Sequence, residues 1–317
     1  MSEVIPHTPP TRVAVNGIEI VYDTIGEPDA PPILLIMGLG AQMIDWRDEF
    51  CALLAARGFR VIRFDNRDAG QSTIFEHAGH PRIDEMLAAL GRGEKVEAPY
   101  LLTDLVADTV GLLDALGVEK THVVGLSMGG AIAQLLAARH PERVLTLTSI
   151  MSNTGEPGLP ASSPEAWSCL TAPLETELEP FLEQYVYKWG VYCGPKYPFD
   201  ATAGRQHAAR VFERGVHSAG RDRQMAAILA SGSRREALAA VSCPTLVIHG
   251  ESDPVVRIEG GRATARAIAG AELLTIEGMG HDLPKAVWPE VVDAIARHAG
   301  RRRESVSSVC TRCASGA

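Results

Sequence analysis

Two hydrophobic patterns alternate along this chain. Short runs of apolar residues, at 33–37, 60–64 and 121–124, read as strands buried on both faces. Between them, apolar residues recur every three or four positions, as at 101–116, which predicts amphipathic helices. The chain opens with a hairpin of 12–15 and 18–22 around Asn16-Gly17, two residues that accept the positive φ angles of a tight turn. Helices are expected over 45–57 and 131–139, and a further strand over 144–150. The pattern then breaks. Residues 151–235 open with Pro157, Pro160 and Pro164 and carry helical pieces at 179–189, 202–216 and 223–230, with no convincing strand. Alternation resumes with a strand at 245–248, a helix at 261–268, a strand at 272–276 and a last helix at 289–299. Residues 301–317 are polar, rich in Ser and Arg, and read as a loose tail.

This order implies an α/β fold: a mainly parallel twisted sheet with helices on both faces. Residues 1–150 and 236–300 would form one core, and 151–235 a helical cap over the carboxyl ends of the strands, where active groups collect in such sheets.

Composition narrows the partners. A net charge of −9 over 317 residues disfavours nucleic acid or an anionic membrane surface. No apolar run is long enough to span a bilayer, and residues 1–10 do not read as a secretory signal, so a cytoplasmic protein is expected. The six cysteines are scattered and read as thiols. Cys310 and Cys313 form a CxxC with no second pair, which does not make a zinc site, and no metal or cofactor is expected. Oligomeric state is not legible.

The chemistry centres on Gly125-Leu126-Ser127-Met128-Gly129, set between a strand and a helix. A strand–turn–helix of this composition is a nucleophile elbow, which lifts its serine clear of the sheet in a strained conformation. A serine hydroxyl needs a base, and the base an orienting group. His281 follows the last strand between small residues, and Asp253 follows the strand before it. Glu251 and Asp282 are decoys for the orienting acid; Asp282 adjoins the histidine in sequence, which makes contact with its outer nitrogen awkward. The oxyanion would be held by the N–H groups of Met128 and of Leu39, which is flanked by Gly38 and Gly40. The cap is rich in aromatics. Trp189, Tyr192, Trp167 and Phe212 are the candidates to line an apolar pocket, and no run of basic residues marks a site for an acidic substrate.

These motifs resemble the α/β-hydrolase superfamily over about residues 13–298, with Ser127, Asp253 and His281 in the triad order of that family. Within it, residues 35–38, 64–72 and 125–129 are similar to aclacinomycin methylesterase and related bacterial carboxylesterases. The resemblance implies hydrolysis of a small or medium, apolar or aromatic carboxylic ester, without metal or organic cofactor. Thioesterases, cofactor-free haloperoxidases and carbon–carbon bond hydrolases use the same triad, and an idle ligand-binding member is a reading of another class. One departure is Met37, where many members carry histidine: Met cannot give the hydrogen bonds that support the oxyanion loop. Arg67, in the 65–72 motif, is expected to tie loops together.

Overall fold

The computed structural model describes residues 5–313, with side chains through Gly300. The first part of the core comprises β1 (Thr11–Val15), β2 (Ile18–Ile25), β3 (Pro32–Ile36), α1 (Asp48–Ala55), β4 (Arg60–Phe64), α2 (Ile83–Gly91), α3 (Leu102–Ala115), β5 (Thr121–Leu126), α4 (Met128–Arg139) and β6 (Val144–Ile150). Then come α5 (Pro164–Thr171), α6 (Leu178–Tyr192), α7 (Ala201–Glu213), α8 (Ser218–Ser231) and α9 (Arg235–Leu238), with no strand among them. The chain closes with β7 (Thr245–Gly250), α10 (Ile258–Ala267), β8 (Glu272–Ile276) and α11 (Trp288–Cys313).

The eight strands form one sheet in the order β1-β2-β4-β3-β5-β6-β7-β8. The β1–β2 and β2–β4 pairs are antiparallel, and all later pairs are parallel. Asn16 and Gly17 turn the first hairpin with φ of 48° and 77°. Every residue of β5 and β7 is buried, as expected of central strands covered on both faces. One core packs α3 and α4 against one face, through Leu105, Leu112, Ile132 and Leu136. The other packs α1 and α11 through Phe50, Leu54, Val291 and Ile295.

Several element bounds differ from the sequence expectation. Helices α2 and α5 were not anticipated, and the helix expected from residue 45 begins at Asp48 after a 3-10 turn. Helix α8 starts five residues before the expected 223, carrying Gly220 in its first turn. The glycine that breaks the sequence pattern is there because α8 lies on the loop after β4: a Cβ on Gly220 would sit 2.4 Å from the Asp68 carbonyl oxygen. Helix α11 runs past residue 299 to Cys313; the side chains from 301 onward, with the Cys310 and Cys313 thiols, lie outside the described residues, as does the end of the expected tail.

Candidate active site

The turn between β5 and α4 carries Ser127 with φ 57° and ψ −118°, a left-handed conformation that a residue with a side chain rarely holds. The strand and helix cross so tightly there that a Cβ on Gly125 would lie 2.1 Å from the Gly129 carbonyl oxygen. Ser127 is therefore fixed by its neighbours, at the amino end of α4 where the helix dipole is positive.

His281 stands in the loop after β8. Its Nε2 is 3.1 Å from Ser127 Oγ, and its Nδ1 is 2.7 Å from Asp253 Oδ2. Its backbone N–H donates to the Tyr192 carbonyl at 2.8 Å, and its ring meets the Tyr192 ring edge-on at 6.0 Å, so the end of α6 sets its position. Asp253 follows β7 and is buried. Its Oδ1 accepts from the N–H groups of Val255 and Val256, both at 2.8 Å. His249 adds a third neighbour, 3.4 Å from Oδ2. Burial by itself would raise the Asp253 carboxyl; the charge and hydrogen bond of His281, with the hydrogen bond of His249, outweigh it and bring it down to about 2. Asp253 is thus a carboxylate at neutral pH.

The two decoys separate cleanly. Glu251 is exposed and accepts from Thr275 Oγ1 at 2.8 Å. Asp282 is buried beside His281, but its Oδ1 has no hydrogen-bond partner. Burial pushes its carboxyl up to about 7, aided by the nearby Asp253 and opposed by His281.

The loop after β3 runs alongside the serine: a Cβ on Gly38 would be 3.2 Å from Ser127 Cβ. Leu39 and Gly40 continue along the chamber wall. Met37 cannot hold this loop with its side chain, and two amides do so. Asn66 Nδ2 donates to the Met37 carbonyl at 3.1 Å, and Gly40 N–H donates to Gln224 Oε1 at 2.8 Å. Gln224 is fully buried on α8 and also donates to the Arg67 carbonyl at 2.6 Å. Sequence reading missed it, since a lone glutamine in a helix carries no signal.

The 65–72 motif is a scaffold of buried charge. Arg67 pairs with Asp108 of α3 through Nε and an amino nitrogen, at 2.6 and 2.7 Å, which ties the loops as expected. Asp68 takes both Arg223 of α8 and the Tyr100 hydroxyl, and Arg214 at the end of α7 reaches Asp65. These contacts clamp the inserted helices onto the core.

A chamber lies between Ser127 and the inserted helices, enclosing about 110 Å³. Its walls include Met37, Leu39, Leu126, Phe181, Tyr185 and Trp189. A larger groove of about 490 Å³ shares His281, Leu126 and Trp189 with it and runs out past Phe50, Phe199 and Trp288. Trp189 therefore faces both spaces and Tyr192 the chamber. Trp167 and Phe212 do not line either, which corrects the expectation. Trp167 faces a separate depression with residues 80–84 and Leu87, and Phe212 packs on Phe181 at 5.4 Å among the inserted helices. Aromatic content marks the segment but does not say which of its rings turn toward the serine. The fold also brings Lys188 and Arg221 to the chamber wall, which no basic run announced.

The fold is that of an α/β hydrolase. The family model for the alpha/beta hydrolase fold matches residues 31–284, and the chain belongs to that family. It is 34% identical to rhodomycin D methylesterase DnrP of Streptomyces peucetius, over 91% of this chain and 98% of that protein. The DauP methylesterase of Streptomyces sp. strain C5 matches to the same extent. Among solved structures, the enol-lactonase of Burkholderia xenovorans LB400 superposes with a TM-score of 0.67 at 24% identity, covering 93% of this chain and all of that one. The chain is a carboxylic ester hydrolase. No helix among the described residues is long and apolar enough to cross a membrane.

Proposed function

We propose that this protein hydrolyses methyl or other small-alcohol esters of an apolar or aromatic acid through an acyl-enzyme on Ser127. The observation that carries this reading is the continuous hydrogen-bonded line from Ser127 Oγ through His281 to the buried Asp253 carboxylate. His281 Nε2 takes the hydroxyl proton as Oγ attacks the ester carbonyl, and Asp253 balances the imidazolium that forms. The Met128 and Leu39 N–H groups receive the oxyanion, supported by the position of Met128 at the first turn of α4 and of Leu39 beside the serine. His281 then protonates the departing alkoxide, and the same imidazole activates the water that frees the acid. No step calls for a metal or cofactor. The inserted helices, residues 151–235, act as a cap that shields the acyl-enzyme and selects the acid. A cytoplasmic setting fits Cys51, Cys169 and Cys193, which stand as thiols.

The test is Ser127→Ala against the wild type on p-nitrophenyl esters of graded length and on methyl esters of aromatic acids. Loss of the nucleophile should lower kcat by roughly 10⁶-fold. A fluorophosphonate should add once, to Ser127, by intact mass and peptide mapping. Turnover undiminished in the mutant, or an adduct elsewhere, would refute the reading.

A further inference from the structure

The inner wall of the chamber carries hydrogen-bond donors that nothing in the protein uses. Lys188, Trp189 and Tyr192 all lie on α6, and all line the chamber above Ser127. The Tyr192 hydroxyl is buried and has no partner, and the same holds for Trp189 Nε1. Lys188 Nζ rests over the rings of Tyr185 and Trp189, at 5.2 and 5.5 Å from their centroids, with no carboxylate within ion-pairing reach among the described residues.

The other charges on this wall are committed. Arg221 binds Asp222 and the carbonyls of Thr171 and Ala172. Asp68 is held by Arg223, and Asp45 by His207. His217 meets the Gly70 carbonyl. Burial and Arg221 lower the pKa of Lys188, while Asp45 and the Cys169 thiol work the other way. Buried donors left unpaired are costly. A chamber that keeps two of them, beside a half-buried ammonium with no ion-pair partner among the described residues, is suited to a ligand that brings acceptors and negative charge.

Resting on the ester-hydrolase reading above, we infer that Lys188 is a specificity-determining residue whose ammonium binds an anionic oxygen on the acid part of the substrate, a carboxylate or an ionised phenol or enol. Tyr192 and Trp189 donate to neighbouring oxygens of the same group. The substrate class is therefore narrowed to those apolar or aromatic esters whose acid part carries an anionic oxygen.

Two arms of matched pairs test this. Monomethyl esters of dicarboxylic acids of graded length are compared with their dimethyl esters, and methyl esters of acidic hydroxyarenes with their O-methyl ethers. The wild type should prefer the anionic member in at least one arm. Lys188→Met should reduce that preference at least tenfold, through KM more than kcat, and Tyr192→Phe should reduce it less. Melting temperatures of both variants identify any loss of folding. Titration calorimetry of Ser127→Ala protein with the same pairs reads recognition without turnover, so a failure of ester hydrolysis is told apart from a failure of this inference. Equal binding of charged and neutral members in both arms overturns it, as does a Lys188→Met change that lowers both members alike.

Discussion

Two carboxyl groups flank His281, and their surroundings drive them in opposite directions. Asp253, brought to about 2, holds its charge, whereas Asp282, pushed up to about 7, sheds it on folding. For Asp282 the sign follows from linkage. Its folded pKa lies above the unfolded 3.8, so the native state binds the extra proton, and stability is complete below about pH 4 and lost as pH rises toward 7. A shift from 3.8 to about 7 corresponds to about 4 kcal/mol, reduced by any water that reaches the carboxylate. Asp282→Asn removes that dependence. Urea unfolding of wild type and mutant at intervals from about pH 5 to about pH 8 should show the mutant gaining about 2–3 kcal/mol relative to wild type between pH 5 and pH 7, and no more beyond. The same mutant should keep most of its kcat, because His281 takes its orientation from Asp253. Asp253→Asn should lose on the order of 10⁴-fold, since Asn holds the wrong imidazole tautomer and cannot balance its charge. Parallel stability curves for wild type and Asp282→Asn would refute the buried-proton argument. A larger kinetic loss in Asp282→Asn than in Asp253→Asn would refute the assignment of roles.

The loop and cap offer two more tests. Gln224→Leu removes the acceptor of the Gly40 N–H, so the oxyanion loop should drift and kcat should fall about tenfold to a hundredfold with a smaller change in KM; an unchanged kcat in a folded mutant would show that the loop stands without it. Trp189→Ala and Tyr192→Ala open the walls of the chamber and should shift the acyl-length profile by roughly 1 kcal/mol per methylene newly accommodated, read as kcat/KM ratios across the ester series at a melting temperature close to wild type. Unchanged ratios in both would remove these residues from the specificity wall.

The parts of the site visible in the sequence are those where a backbone demand fixes the residue type. The turn at Ser127 needs glycine beside it because Gly125 meets the Gly129 backbone, and the hairpin needs Asn16-Gly17 because both φ angles are positive. The central strands could be read because β5 and β7 are buried throughout, and His281 and Asp253 because they follow strand ends. The cap carries no comparable rule. Its anchors to the core, Arg223 to Asp68 and Gln224 to Gly40, join residues more than 150 positions apart, and each partner alone resembles any surface arginine or helix glutamine. Trp167 and Phe212 were chosen for bulk, yet bulk serves packing as well as binding, and here it serves packing for Phe212 and a separate depression for Trp167. Lys188 inverts the difficulty. A single lysine among aromatics is unremarkable as sequence, and a search for clustered basic residues passes over it. Its significance comes from its surroundings: the fold commits every neighbouring charge to another partner and leaves this one on the chamber wall. A half-buried cation on a chamber wall is screened less than one on an open surface, so a single unpaired lysine there can discriminate between ligands. On the inference drawn for Lys188, selectivity would follow from which polar groups the packing of the inserted helices leaves unspent, a property of the assembled helices that residue type alone does not encode.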